Sequence, residues 1–113
     1  MELVKKVWGW ELILISTELY ACKLLILKGG YQCSIHYHKE KDETFMLLAG
    51  QADIQLNKNM LSKPFVHFAT ENVVPYQQHR FVGKSIYSII LEVSTQDKPE
   101  DSYRDTVSGK ISS

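Results

Sequence analysis

Apolar residues in this chain almost nowhere recur at helical spacing, and that limits its fold more than any other feature. No window of helical length shows a capped 3.6-residue apolar period. Glu11–Lys28 comes nearest, but its β-branched and aromatic content and the turn residues Ser16-Thr17-Glu18 argue for strands. Short apolar or alternating runs predict strands at Glu11–Ile15, Tyr20–Lys28, His36–His38, Glu43–Ala49, Ala52–Leu56, Phe65–Phe68, His79–Val82 and Ser85–Ser94. Gly29-Gly30, Gly50, Asn57-Lys58-Asn59, Thr70-Glu71-Asn72 and Gly83-Lys84 supply the turns. Many short strands at close spacing imply an all-β sandwich or barrel. A length of 113 residues suffices for one domain with one core. That domain is expected over residues 1–107. Residues 108–113 have no apolar group except Ile111 and are expected to fray as a tail.

Charge and hydropathy remove several function classes. Lys plus Arg and Asp plus Glu balance at 13 each, with no basic stripe, so nucleic acid is not an expected partner. The longest apolar runs, Leu12–Ile15 and Leu24–Leu27, are far too short to span a bilayer. The Met-Glu-Leu-Val-Lys-Lys start lacks the apolar core of a signal peptide. Cys22 and Cys33 form neither a disulfide framework nor a zinc-knuckle pattern. A cytoplasmic protein with two reduced thiols is the expectation. Trp8-Gly9-Trp10 reads as a chain turning onto a hydrophobic surface, a core plug or a dimer contact ahead of a sugar-stacking platform.

The stretch Gly30–Gly50 carries the chemistry. On a strand, His36 and His38 share a face while Ile35 and Tyr37 take the other. Lys39–Asp42 is a run of charged residues suited to a solvated turn. A strand beginning at Glu43 can then return beside the first and bring its carboxylate to the two imidazoles. Two neutral imidazoles and a carboxylate make a divalent-metal site. His67, flanked by Phe65, Val66 and Phe68, reads as a structural residue.

Gly30-x5-His36-x-His38-x4-Glu43-x6-Gly50 matches the first signature motif of the cupins at every fixed position. Pro75-x3-His79-Arg80-Phe81 resembles a degenerate second motif, with the leading Gly missing, the inner Gly replaced and Gly83 where Asn is usual. Trp8-Gly9, Lys23, Ser34, Glu92-Val93-Ser94 and Asp101-Ser102-Tyr103-Arg104 extend the likeness to small cupins related to mannose-6-phosphate isomerase. The resemblance implies a single-domain jelly-roll β-barrel with a metal in its mouth, held by His36, His38, Glu43 and His79. Such a donor set suits Zn, Mn, Fe, Co or Ni. It also implies a homodimer and a small-molecule, carbohydrate substrate.

Lys23 and Glu92 sit in apolar strands, where an unpaired charge is costly, so each needs a partner or a wet cavity. Facing the cavity, they are candidate proton-transfer residues; facing outward, they are merely exposed or paired. Arg80, next to His79, points away from the metal, and Arg104 is expected to pair with neighbouring acids, with gripping a phosphate as the alternative. The leading expectation is a metal-dependent sugar or sugar-phosphate isomerase. An iron-dependent dioxygenase and a non-catalytic metal-dependent sugar- or metabolite-binding module are the alternatives.

Overall fold

The structure is a computed structural model that describes residues 1–57, 61–104, 106 and 108–111. The first strands are β1 (Glu2–Lys6), β2 (Gly9–Ser16), β3 (Tyr20–Lys28), β4 (Tyr31–Gln32) and β5 (His36–Tyr37). They are followed by β6 (Glu43–Ala49), β7 (Ala52–Leu56), β8 (Lys63–Pro64), β9 (Thr70–Val73) and β10 (His79–Gly83). The chain closes with β11 (Tyr87–Thr95), β12 (Tyr103–Arg104) and β13 (Gly109–Lys110), after a single 3-10 turn at Pro99–Asp101. Among the described residues no helix is long and apolar enough to cross a membrane.

Two antiparallel sheets face each other as a jelly-roll barrel. One has the order β1-β2-β3-β11-β6-β9; the other runs β12-β5-β10-β4-β13, with β7 on β10 and β8 on β7. Strict alternation builds the interior. Along β3, Ala21, Lys23, Leu25 and Leu27 are buried, while Cys22, Leu24 and Ile26 are half-buried on the outer side. Leu25, Leu27, Phe45, Leu47, Ile54, Phe65, Phe81 and Ile90 form the core, with Trp8 packed against it. The aromatic plug expected at Trp8 is therefore present. Gly9 lets β2 lie close on β3, since a Cβ there would collide with the Ile26 carbonyl. Gly50 turns with φ +80°, and its Cβ would strike the Tyr87 carbonyl.

Four local expectations are corrected. Phe65–Phe68 is not a strand: the pairing residues are Lys63–Pro64, and of the apolar trio Phe65, Val66 and Phe68 only Phe65 is buried. Thr70-Glu71-Asn72 is not a turn but the body of β9, a polar edge strand registered on β6. Gly109–Lys110 pairs with β4, so the tail does not fray at those residues. Finally, β5 and β6 are not neighbours, because β5 pairs with β10 and β12 while β6 pairs with β11 and β9. The predicted Asn57-Lys58-Asn59 turn lies partly outside the described residues.

Candidate metal centre

Pairing within one sheet brings the imidazoles together. His36 on β5 is in register with His79 on β10, so the two side chains leave the same face of adjacent strands. Their ring centroids lie 4.2 Å apart. Strand parity carries His38 to that face, beyond the end of β5, and its carbonyl is held by the Tyr76 amide at 2.6 Å. Tyr76 sits in the turn after Pro75 with φ +70°, so the second-motif turn clasps the first-motif strand. The potential ligand atoms of His36, His38 and His79 all lie within 4.8 Å of one another.

Each ring is oriented by a backbone carbonyl at Nδ1. His36 faces the Ser34 oxygen at 2.8 Å, His38 the Asp101 oxygen at 2.8 Å and His79 the Gln77 oxygen at 3.3 Å. The carbonyl partners assign the proton to Nδ1, leaving the Nε2 lone pairs directed inward. Burial pushes all three imidazoles toward the neutral form: His36 down to about 4, His38 lower than usual and His79 well below its ordinary value.

Glu43 arrives from the opposite sheet, at the start of β6. Its Oε1 is 3.3 Å from His38 Nε2 and 3.5 Å from His79 Nε2. That oxygen is buried and has no hydrogen-bond partner among the described residues. Burial, reinforced by the neighbouring Glu92 charge, pushes the Glu43 carboxyl up to about 8. Lone pairs from three neutral rings thus converge on the Glu43 carboxyl, and once that carboxyl is ionised no hydrogen lies between them. Such an arrangement calls for a cation, and these donors fit a borderline divalent ion.

The centre opens into a cavity of about 540 Å³ whose walls include Trp8, Leu25, Phe45 and Phe81. Lys23 and Glu92 both line it, paired in register across β3 and β11 and each 5% exposed. Lys23 Nζ lies 2.7 Å from Glu11 and 2.6 Å from Asp97. Burial acts to lower its pKa, but Glu92 and these acids outweigh it, so the ammonium is held more firmly than usual. Despite their burial, Glu11 and Asp97 are held below the usual carboxylate range by hydrogen bonds from Lys23.

Lys41 and Asp97, both beside the centre, escaped sequence reasoning, and Asp101 entered it only within Asp101-Ser102-Tyr103-Arg104. Lys41, expected in a solvated turn, is 4% exposed; Lys39, Glu40 and Asp42 do face solvent. Its ammonium lies 3.3 Å from Glu43, 3.0 Å from Glu92 and 3.0 Å from Asp97. Burial opposes its charge, but Glu92, Glu43 and Asp97 raise its pKa well above the ordinary value. Lys41 stands two residues before Glu43, so parity carried into the turn was the available signal. Asp97 bridges Lys23 and Lys41. Asp101 accepts the Lys39, Glu40 and Lys41 amides at 2.9, 3.1 and 3.2 Å. No local pattern marks Asp97.

The other candidates fall outside the centre. His67 is exposed, with Nε2 2.6 Å from the Gly50 carbonyl. Arg80 turns from the imidazoles to donate to the Cys33 carbonyl and to Thr106. Arg104 is in register with His36 and lines the cavity, with no ion-pair partner among the described residues.

Neither a family model nor a curated protein sequence matches the chain. Solved structures do. A protein from Planctomyces limnophilus superposes with TM-score 0.75 at 23% identity, covering 91% of this chain and 89% of that one. An uncharacterized protein with a double-stranded β-helix domain from Klebsiella pneumoniae gives 0.70 at 12% identity, covering 91% and 84%. The capsular polysaccharide assembling protein CapF from Staphylococcus aureus gives 0.76 at 15% identity, covering 97% of this chain and 34% of that one.

Proposed function

The chain has the cupin fold, a double-stranded β-helix, and from that premise we propose a metal-dependent isomerase of sugars or sugar phosphates. His36, His38, Glu43 and His79 hold one divalent ion. The observation that carries the metal reading is Glu43 Oε1, buried without a donor and aimed at two imidazole lone pairs. Bound there, such an ion supplies Lewis acidity to a substrate carbonyl.

The remaining work belongs to side chains of the cavity. Glu92 takes the proton from the hydroxyl-bearing carbon beside the carbonyl and returns it to the former carbonyl carbon, through an enediol, while that hydroxyl's proton passes to the former carbonyl oxygen. Lys23 and Lys41 keep their protons and balance the acids around them. Trp8, Leu25 and Phe81 give the substrate an apolar wall. The carbohydrate class is supported by the likeness to small isomerase-related cupins and by the fold shared with CapF, a capsular polysaccharide assembling protein.

The active form is a homodimer in a reducing, cytoplasmic setting, with Cys22 and Cys33 as free thiols. The outer face of the six-stranded sheet supports the dimer. Leu12, Leu24, Leu91 and Met46 align across β2, β3, β11 and β6, half-buried in the single chain. Strands apolar on both faces are ordinarily covered on both.

Proton–deuterium exchange at C2 of free and phosphorylated aldoses, followed by NMR with metal-loaded protein, tests the reaction. Exchange that disappears in Glu92→Gln while the metal stays bound is the expected result. A metal-loaded protein that exchanges no aldose proton refutes the isomerase. Oxygen uptake with ferrous protein would instead favour the dioxygenase.

A further inference from the structure

We infer that Lys41 is a positioning residue of the metal centre, which holds Glu43 Oε2 so that only Oε1 is presented to the imidazoles. The inference rests on the metal-binding reading above. Two independent arrangements support it.

The first is the ammonium itself. It donates hydrogen bonds to Glu92 Oε2 at 3.0 Å and Asp97 Oδ1 at 3.0 Å, and lies in ion-pair contact with Glu43 Oε2 at 3.3 Å. At 4% exposure the ammonium is buried, so losing a partner is costly. The second is the backbone that delivers Lys41. Asp101 accepts three consecutive amides, Lys39 to Lys41, with its carboxylate, and its own carbonyl receives His38 Nδ1 at 2.8 Å. One residue therefore fixes both the ring of His38 and the start of the side chain that clamps Glu43.

A carboxylate can meet a divalent ion with one oxygen or with both. Here the second oxygen already faces a buried ammonium at 3.3 Å. Turning Oε2 toward the ion would break that contact and strip a buried ammonium of a partner. Glu43 thus takes a single coordination position, and the position that a second oxygen would fill stays available for a substrate oxygen. Lys41 touches no reacting atom in this scheme; it acts through Glu43.

Co(II) loading tests the assignment, since its visible d–d bands weaken as coordination number rises. We compare the unmodified protein with Lys41→Arg and Lys41→Met, reading the spectrum and the Co(II) Kd by chelator competition. The expected result is a weaker d–d spectrum in Lys41→Met with a Kd raised about 10–100-fold, the usual effect of losing a partner of a metal ligand. Lys41→Arg, which keeps a donor, is expected to restore the spectrum. If Lys41→Met does not fold, Lys41→Met/Glu92→Gln removes one cation and one anion together and carries the same readouts. Unchanged spectrum and Kd in either Met-bearing variant overturns the role of Lys41. Failure of the unmodified protein to bind Co(II) overturns the metal reading itself, and this inference with it.

Discussion

Metal uptake should release close to one proton, and that proton should come from Glu43 rather than from the histidines. In the metal-free protein Glu43 titrates at about 8, because burial and Glu92 disfavour its charge. His36 titrates at about 4, and burial pushes His38 and His79 toward the neutral form as well. Binding requires an ionised carboxylate and free ring lone pairs. Glu43 alone then contributes about 1.0 proton at pH 6 and about 0.5 at pH 8. A triad with ordinary imidazoles and an ordinary glutamate would release about 2.3 protons at pH 6 and about 0.1 at pH 8. Isothermal titration calorimetry in buffers of different ionisation enthalpy gives the number directly, as the slope of observed enthalpy against buffer enthalpy. Release of two or more protons at pH 6 would refute the buried, neutral triad. Release near zero at both pH values would refute the protonated Glu43.

The same shifts shape stability. Glu43 has a folded pKa above its ordinary 4.5, so its contribution is whole below that value and is lost as pH rises through about 8. His36 is depressed from 6.5 to about 4, so its contribution is present above 6.5 and is lost as pH falls through that window. The Tm of metal-free protein is expected to fall on both sides of neutrality in thermal scans, and saturating metal should abolish the alkaline fall. Adjacent residues on β11 separate the core from the proposed dimer face: Ile90 is fully buried and Leu91 half-buried on the outer side. Ile90→Ala should cost about 2–5 kcal/mol in urea denaturation, while Leu91→Asp should convert dimer to monomer in sedimentation velocity with the fold intact.

What the residue pattern disclosed, and what it hid, follows from the range over which each signal acts. Tyr20–Lys28, Glu43–Ala49 and Ala52–Leu56 were readable to the residue because alternating runs end at Gly or polar turns. Thr70–Val73 was hidden because an edge strand with a wet face has the composition of a turn; Thr70 and Asn72 are exposed. Phe65–Phe68 misled in the opposite sense, since apolar composition does not say which side chains are covered. At the site, parity told that His36 and His38 share a face. It could not tell which sheet Glu43 would join, because pairing partners are chosen over the whole chain. Lys41 was lost to the ordinary association of charge runs with solvent, which a cluster of buried carboxylates overrides.

The separation of donors between two sheets has a mechanical consequence. The imidazoles belong to the β5–β10 side of the barrel and the carboxylate to the β6 side, so an ion joining them acts as a rivet through both walls. Amides of β5, β6 and β10 could then exchange with solvent only after the rivet is withdrawn, whereas β1 and β2, which supply no donor, remain free to breathe. Occupancy of the centre would be written into the hydrogen-exchange rates of the barrel mouth, readable before any substrate is known.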